Sequence, residues 1–452
     1  MTTANAAGAS EAQEAAVEQA AVTPAAAAAP SLWSNRDYLG WWTGDSVSAL
    51  GTSISNIAFP LLVLFSTGSV AKAGAIGAAN QIGRLATTLP GGALADRISR
   101  RALLVLGPLV QSAALALVAV LAHRGHISIP QLAALACLSG LASGLAQGAY
   151  RPALRRIVPK EQLGAATGQS MGRDMAAELL GTPVGGVLFS AARWVPFLVD
   201  AVSFLFAALG AALIRRPLGP DRADGKRPAS VFGDIAAGIR LVRGEPFLRF
   251  VVVWGSLLNV AAESFALLFI ALIRYRGGGP SAVGVASAIA LVGGIGGAVA
   301  APALLGKVRA RTLMYAAGWA FAVSLVLVAA VPRPWQIGAV ILVAMFTMVP
   351  LNVVLDTYVV RLVPDAYSGR VSAVTRFGSQ ALSWTGPLAA GLLAALFGVP
   401  GGVLALLIAV VPLALALHVT KSLRILDSPV AQVRELTVDD ADADAAAAAA
   451  AE

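Results

Sequence analysis

Glu263 lies near the middle of a long apolar run, with Ser256 and Asn259 preceding it at intervals of three and four residues. That spacing puts all three on one helical face. Asp45, Ser48, Thr52 and Asn56 repeat the pattern near the start of another apolar run, and that face is expected to look into a water-filled cavity. A charged carboxyl held in hydrocarbon costs about 2.5–3.5 kcal/mol at a bilayer centre, so each such group is a candidate to take up and release a proton. Glu178, one turn after Asp174, is a third; Arg173 is adjacent to Asp174 and so is expected to point elsewhere on its helix. The candidate coupling and cavity residues are therefore Asp45, Thr52, Asn56, Glu178, Asn259 and Glu263. Glu263 is the foremost proton carrier among them, and the competing reading is a structural glutamate bonded to a neighbouring helix. No nucleophile stands with a base at catalytic spacing, and the glycines at 293, 294, 296 and 297 lack the Lys-Ser or Lys-Thr of a phosphate loop. Neither an enzyme, a metal site nor a cofactor is expected.

The elements that must position these residues follow from composition. The chain has 452 residues, 57% of them hydrophobic and 13% charged, where a soluble domain carries roughly a quarter charged. Mean hydropathy is +0.76, which implies an integral membrane protein embedded in a lipid bilayer. The single cysteine, Cys137, excludes an internal disulfide. A net charge of +9 does not point to nucleic acid, because the basic residues alternate with apolar spans instead of forming one stripe.

Spans need about 20 apolar residues. The chain divides into twelve: 40–65, 71–90, 102–122, 131–150, 165–190, 194–214, 248–273, 281–304, 312–331, 335–360, 375–397 and 401–420. They are Ala/Leu/Gly-rich and lack period-two alternation, so helices are expected, not a barrel. Lys and Arg crowd alternate loops, with eight from Arg215 to Arg249, whereas the other loops hold only Lys72, Arg124, Arg193, Arg274, Arg276 and Arg333. The bias predicts both termini in the cytoplasm.

The expected fold class is an all-α membrane protein with two six-helix halves at 36–214 and 248–424, joined by a cytoplasmic linker at 215–247. The Ala-rich stretch 1–35 carries Glu11, Glu14 and Glu18 without early Lys or Arg, unlike a signal peptide. It and the acidic, Ala-rich stretch 425–452 are expected to be disordered tails. An internal repeat supports the division. Arg156, Pro159, Gly164, Gly181 and Gly186 align with Arg361, Pro364, Gly369, Gly386 and Gly391, while Arg97, Arg101 and Leu103 align with Lys307, Arg311 and Leu313. Asp96 falls on Gly306, so only the first half keeps the anion.

Between the second and third spans runs Gly91-Gly92-Ala93-Leu94-Ala95-Asp96-Arg97-Ile98-Ser99-Arg100-Arg101. Glycines there admit close helix approach, and an anion followed by three arginines can latch helix ends. This loop resembles the signature loop of the major facilitator superfamily of secondary transporters. Gly181, Pro183 and Gly186 resemble the span-5 glycine–proline element of antiporters in that superfamily, with Thr182 where proline is usual. Gly386 and Pro387 in span 11 are nearer its form. Both segments also read as close packing plus a bend. The segment around Asp200, from Pro196 to Phe204, resembles span 6 of the exporter branch related to enterobactin exporters and macrolide-efflux proteins, and suggests a structural or gating role.

The resemblance implies the major facilitator fold, small-molecule substrate and protons as partners, and a monomer of the inner or plasma membrane. A hydrophobic or amphipathic drug or metabolite would leave by proton antiport, with Gly91, Gly92, Asp96, Arg97, Arg100 and Arg101 forming a cytoplasmic gate. A solute importer, a lipid flippase and a non-transporting receptor are the alternatives.

Overall fold

The computed structural model describes residues 31–95, 98–219 and 231–428, with 432 and 436. Asp96, Arg97 and most of both expected tails lie outside the described residues. Fourteen α-helices and no strand are present among the described residues. The first half holds α1 (Arg36–Thr67), α2 (Val70–Ala95), α3 (Arg100–Arg124), α4 (Ile129–Ile157), α5 (Leu163–Ala191) and α6 (Val195–Ala212). Then come α7 (Val231–Gly244), in the linker, and α8 (Pro246–Tyr275), α9 (Pro280–Lys307), α10 (Ala310–Ala330), α11 (Pro334–Leu362), α12 (Asp365–Gln380), α13 (Thr385–Ala405) and α14 (Leu407–Val419).

Nine described helical stretches are long and apolar enough to span a bilayer by themselves. The last, Val371–Val419, folds back at Gly398, whose φ of 68° lies in the left-handed region, and so crosses twice. Helices α2 and α5 reach roughly 40 Å at about 1.5 Å per residue, which is ample length. Their hydropathy is diluted by Asn80, Gln81 and Arg84 in one, and by Gln169, Arg173, Asp174 and Glu178 in the other. Twelve crossings result, and the two most polar carry several of the candidate residues.

Local sequence explains the ends. Asn35 caps α1 by accepting from the Tyr38 amide at 3.2 Å, and Ser128 with Gln131 forms a capping box on α4. Gly68 and Gly125 end α1 and α3 in the left-handed region, at φ 72° and 69°. Order extends past the expected limits of the tails. Leu32–Ser34 form a turn that buries Leu32, and Lys421–Asp427 form another that buries Leu423 and Leu426. In each case an apolar side chain finds a core to join.

The apolar core is divided in an informative way. On the face away from the chain termini, one cluster joins both halves and includes Leu61, Ile76, Phe197, Phe265, Leu272 and Phe321. On the terminal face the core separates into two clusters, one around Tyr38, Leu104, Ile157 and Ile214, the other around Phe247, Met314, Leu351 and Leu417. The halves are therefore sealed together on the opposite face and apart on the terminal face.

The seal has two equivalent parts. A side chain at Gly74 of α2 would overlap the Pro387 carbonyl of α13, and one at Gly284 of α9 would come within 2.9 Å of the Pro183 carbonyl of α5. Missing side chains let the backbones touch. The internal repeat is thus visible in packing: Gly186 meets α9 of the other half, and its counterpart Gly391 meets Ala71 of α2.

Candidate functional site

Asp45 is held by two residues from neighbouring helices. Tyr150 of α4 donates to Oδ2 at 3.1 Å, and the Arg173 guanidinium of α5 forms an ion pair with the same oxygen. Arg173 also donates through Nη2 to Asp174 at 2.7 Å, so its flat fork bridges two carboxylates. The expectation that Arg173 points away from this face is corrected. Adjacency to Asp174 sets the direction of its Cβ, but the long stem carries the guanidinium back to α1. Arg173 is 9% exposed and Asp45 26%, so the pair is shielded from most solvent. The shared face expected for span 1 splits: Ser48 is buried, Thr52 half-buried and Asn56 exposed. Glu178 is exposed, as are Met171 and Met175 on the same helix.

The second-half residues surround the seal. Glu263 is half-buried, and its Cβ stands 2.6 Å from where a side chain on Gly386 would begin. Next to it, the Ser264 hydroxyl donates to the Gly386 carbonyl at 2.8 Å, and the following Pro387 meets Gly74 of the first half. Among the described residues Arg84 of α2 is a charged group near enough to act electrostatically on Glu263 across the boundary between halves, without an ion pair between them. It also donates to Gln81 at 2.6 Å. Asn259 is engaged differently: its amide donates to the Gly255 carbonyl at 2.8 Å and to the Ser379 carbonyl at 3.2 Å. Ser379 is at the end of α12, where carbonyls lack helical partners, so Asn259 stabilises the break at 381–384.

Of the expected gate, Gly91 packs tightly, since a side chain there would lie 2.9 Å from the Leu145 Cα of α4, whereas Gly92 faces open space. Arg101 donates to the carbonyls of Ile214 and of Arg216, the latter at 3.0 Å. The Arg100 amide donates to the Leu218 carbonyl at 3.0 Å and its guanidinium to Gly219 at 3.4 Å. These arginines tie the start of α3 to the chain leaving α6. Asp37 accepts from the amides of Arg215 and Arg216 at 2.9 and 3.2 Å and completes that tie from α1. Asp96 and Arg97 lie outside the described residues.

Asp200 is the most secluded acid among the described residues, 1% exposed, with Ser55 and Ser203 at its two carboxyl oxygens. One partner in these networks lacks a sequence signal of its own, since Tyr150 is one aromatic among many. Ser203, three residues after Asp200, and Ser55, three after Thr52, are partners that helical spacing reveals. His418 is satisfied by Trp319, which donates to its Nε2 at 3.0 Å, and it stacks on Tyr315 with centroids 3.9 Å apart. Among the described residues no cluster suited to a metal ion occurs.

The model of one family, described as Major Facilitator Superfamily, matches residues 42–387. No curated protein matches significantly. Solved structures do. The nucleoside transporter NupG is 12% identical with a TM-score of 0.67, over 84% of this chain and 98% of that one. A bacterial homolog to the human lysosomal transporter Spinster, inward-facing and unoccupied, gives 13% identity and a TM-score of 0.65, over 89% and 99%. A bacterial homologue of the iron transporter ferroportin, in the inward-facing state, gives 16% and 0.62, over 85% and 99%. At such identities the likeness is one of fold.

Proposed function

The chain belongs to the major facilitator superfamily, and from that premise we propose that it exports a hydrophobic or amphipathic drug or metabolite across the plasma membrane in exchange for protons. It is a transporter and not an enzyme, so the proposal concerns what is moved, in which direction and by which gradient. The observation that carries the reading is the position of Glu263. It stands beside the Gly74–Pro387 contact and feels Arg84 across the boundary. A carboxyl so placed is drawn towards Arg84 while it is charged and loses that attraction when it takes a proton, so proton binding would bias the relation of the two halves. That bias is what coupling requires.

The direction of the reading rests on charge and on resemblance. Basic residues crowd the loops of the terminal face, which assigns that face to the cytoplasm. The conformation described above is then the inward-facing one, with its sealed side outward. The segments around Asp200 and Gly386-Pro387 favour the exporter and antiporter branches. Few charges among many apolar side chains suit a lipophilic cargo. The loop from Gly91 to Arg101, with Asp96 and Arg97 in it, is assigned to the cytoplasmic gate, and a single copy of the chain to the working unit.

The test is transport by full-length protein in proteoliposomes under an imposed pH gradient, read with a lipophilic fluorescent dye inside and a pH indicator outside. Dye movement against its own gradient, driven by protons moving the other way, is the expected result. Movement in the same direction as protons makes the protein an importer. Dye movement that ignores the pH gradient removes proton coupling, and Asp96→Asn should slow turnover more than it weakens dye binding.

A further inference from the structure

The mechanism above leaves one deeply buried acid unused. Asp200 sits on α6 with its carboxyl turned into the contact with α1, and no charged group acts on it among the described residues. Its neighbours are hydroxyls. Ser55 Oγ bonds Oδ2, Ser203 Oγ lies 3.0 Å from Oδ1, and Thr52 stands three residues before Ser55 on the same helix. Apart from the exposed Glu178, the charged groups of the elements packed on α6 are engaged elsewhere or stand at helix ends, as Arg100 and Arg101 do at the start of α3 and His123 and Arg124 at its end. Helix α3 contributes Ser112, which donates to the Ala201 carbonyl at 2.7 Å, and the buried Gln111. On α1 the nearest acid towards the terminal face is Asp45, already paired with Arg173, and the ionisable residues of α5 are Arg173, Asp174 and Glu178.

A charged carboxyl buried this deeply among hydroxyls, with no cation beside it, is costly, and a proton removes that cost. Each hydroxyl has one hydrogen and two acceptors within reach. Ser55 lies 3.2 Å from the Thr52 carbonyl as well as beside Oδ2, and Ser203 lies 2.8 Å from the Asp200 main-chain carbonyl as well as beside Oδ1. Both hydroxyls can donate to the ionised carboxyl, Ser55 to Oδ2 and Ser203 to Oδ1, and with a proton on Oδ2 they can turn instead: the carboxyl then donates to Ser55, Ser55 to the Thr52 carbonyl and Ser203 to its own helix, so the protonated form is satisfied too. An alkali cation has no room. A side chain at Gly51 would overlap Ser203 Oγ and come within 2.8 Å of Oδ1, and the oxygens already touch one another through hydrogen bonds. A proton is the one cation that fits between oxygens at hydrogen-bond distance.

We propose that Asp200 is a second protonation site, separate from Glu263, which holds its proton in the Asp200–Ser55 hydrogen bond and exchanges it with the cavity past Thr52. Thr52 is half-buried and shares a helical face with Asp45 and the exposed Asn56, so it lies between the carboxyl and the exposed part of that face. On release, the proton passes to cavity water. Ser55 then swings from the Thr52 carbonyl to the bared Oδ2, and Ser203 turns to Oδ1, so the change is felt in both α1 and α6.

The test reads the proton directly and does not depend on which substrate or ion is transported. Full-length protein in lipid nanodiscs, with aspartate labelled at its carboxyl carbon, is examined by infrared spectroscopy at neutral pH. The expected spectrum holds a label-sensitive carbonyl band of a protonated acid that survives Glu263→Gln and Asp45→Asn and is lost in Asp200→Asn. Ser55→Ala should move that band to higher frequency, and Thr52→Val should slow its hydrogen–deuterium exchange. A wild-type spectrum without the band, its persistence in Asp200→Asn, or its loss on adding sodium at constant pH overturns the proposal. Should Asp200→Asn fail to insert, the wild-type band and its shift in Ser55→Ala decide alone. Failure here leaves the proton coupling assigned to Glu263 untouched, and a failure of that coupling leaves this band in place.

Discussion

The Pro387 carbonyl occupies the space that a side chain on Gly74 would need, and Gly284 stands in the same relation to Pro183. Each contact joins one half to the other, and the internal repeat relates the two. Among the described residues the terminal-face cores of the two halves are separate clusters. In the proposed transport cycle the opposite face is the one that comes apart, and these four residues are where it is expected to part.

Gly74→Leu and Gly284→Leu should each favour the state open on the opposite face. Forcing a side chain into a tight backbone contact costs about 1–3 kcal/mol. At about 1.4 kcal/mol per tenfold, that shifts the ratio of states by roughly five- to a hundredfold. Spin-label distances across that face should lengthen while expression is retained. An unchanged distance distribution would mean that the contact is not part of the seal.

Glu263→Gln should abolish proton coupling and keep substrate exchange. The amide preserves size and packing against Gly386 but takes no proton, so exchange down a substrate gradient continues while uphill movement stops. Wild-type coupling in this variant would exclude Glu263 as the carrier. Arg84→Gln tests the partner across the boundary and should alter the pH dependence of transport without abolishing coupling.

Much of this was legible beforehand, and the reasons are local. Hydropathy locates spans because the backbone must satisfy itself in lipid, and glycines 181, 186, 386 and 391 could be paired as repeats because close packing tolerates nothing larger there. The partner of a charged side chain is harder to read. Adjacency to Asp174 suggests that Arg173 points elsewhere on its helix, yet it pairs with Asp174 and also meets Asp45, far away in the chain, and Tyr150 joins them without any sequence cue. Asn259 falls on the expected face, but its main work is at the break in span 11, which no periodicity announces.

Arg101 and Arg311 should behave as unequal versions of one staple. Each begins the third helix of its half and ties it to the chain that leaves the sixth. Arg101 does so through two main-chain carbonyls, and Arg311 through Asp427 at 2.8 Å. The Arg311 pair is largely solvated, worth about 0–1 kcal/mol, whereas charged hydrogen bonds to carbonyls are worth about 1.5–3 kcal/mol. Arg101→Ala should therefore lower the thermal midpoint in detergent clearly and Arg311→Ala only slightly, and the reverse order would refute the comparison.

Arg173→Gln should be among the more destabilising single changes in the first half. It strips the cation from Asp45, which is mostly shielded and retains only the Tyr150 hydroxyl at 3.1 Å. An ionised carboxylate left without its partner costs about 3–5 kcal/mol when fully buried, and the partial exposure of Asp45 brings this nearer 2–3 kcal/mol. The penalty comes from the abandoned charge, so removing that charge should relieve it. Asp45→Asn combined with Arg173→Gln should thus be more stable than Arg173→Gln alone, by differential scanning fluorimetry of the purified full-length protein. If the double variant instead loses the sum of the two single losses, the two side chains are independent and Asp45 is free to act in the cavity.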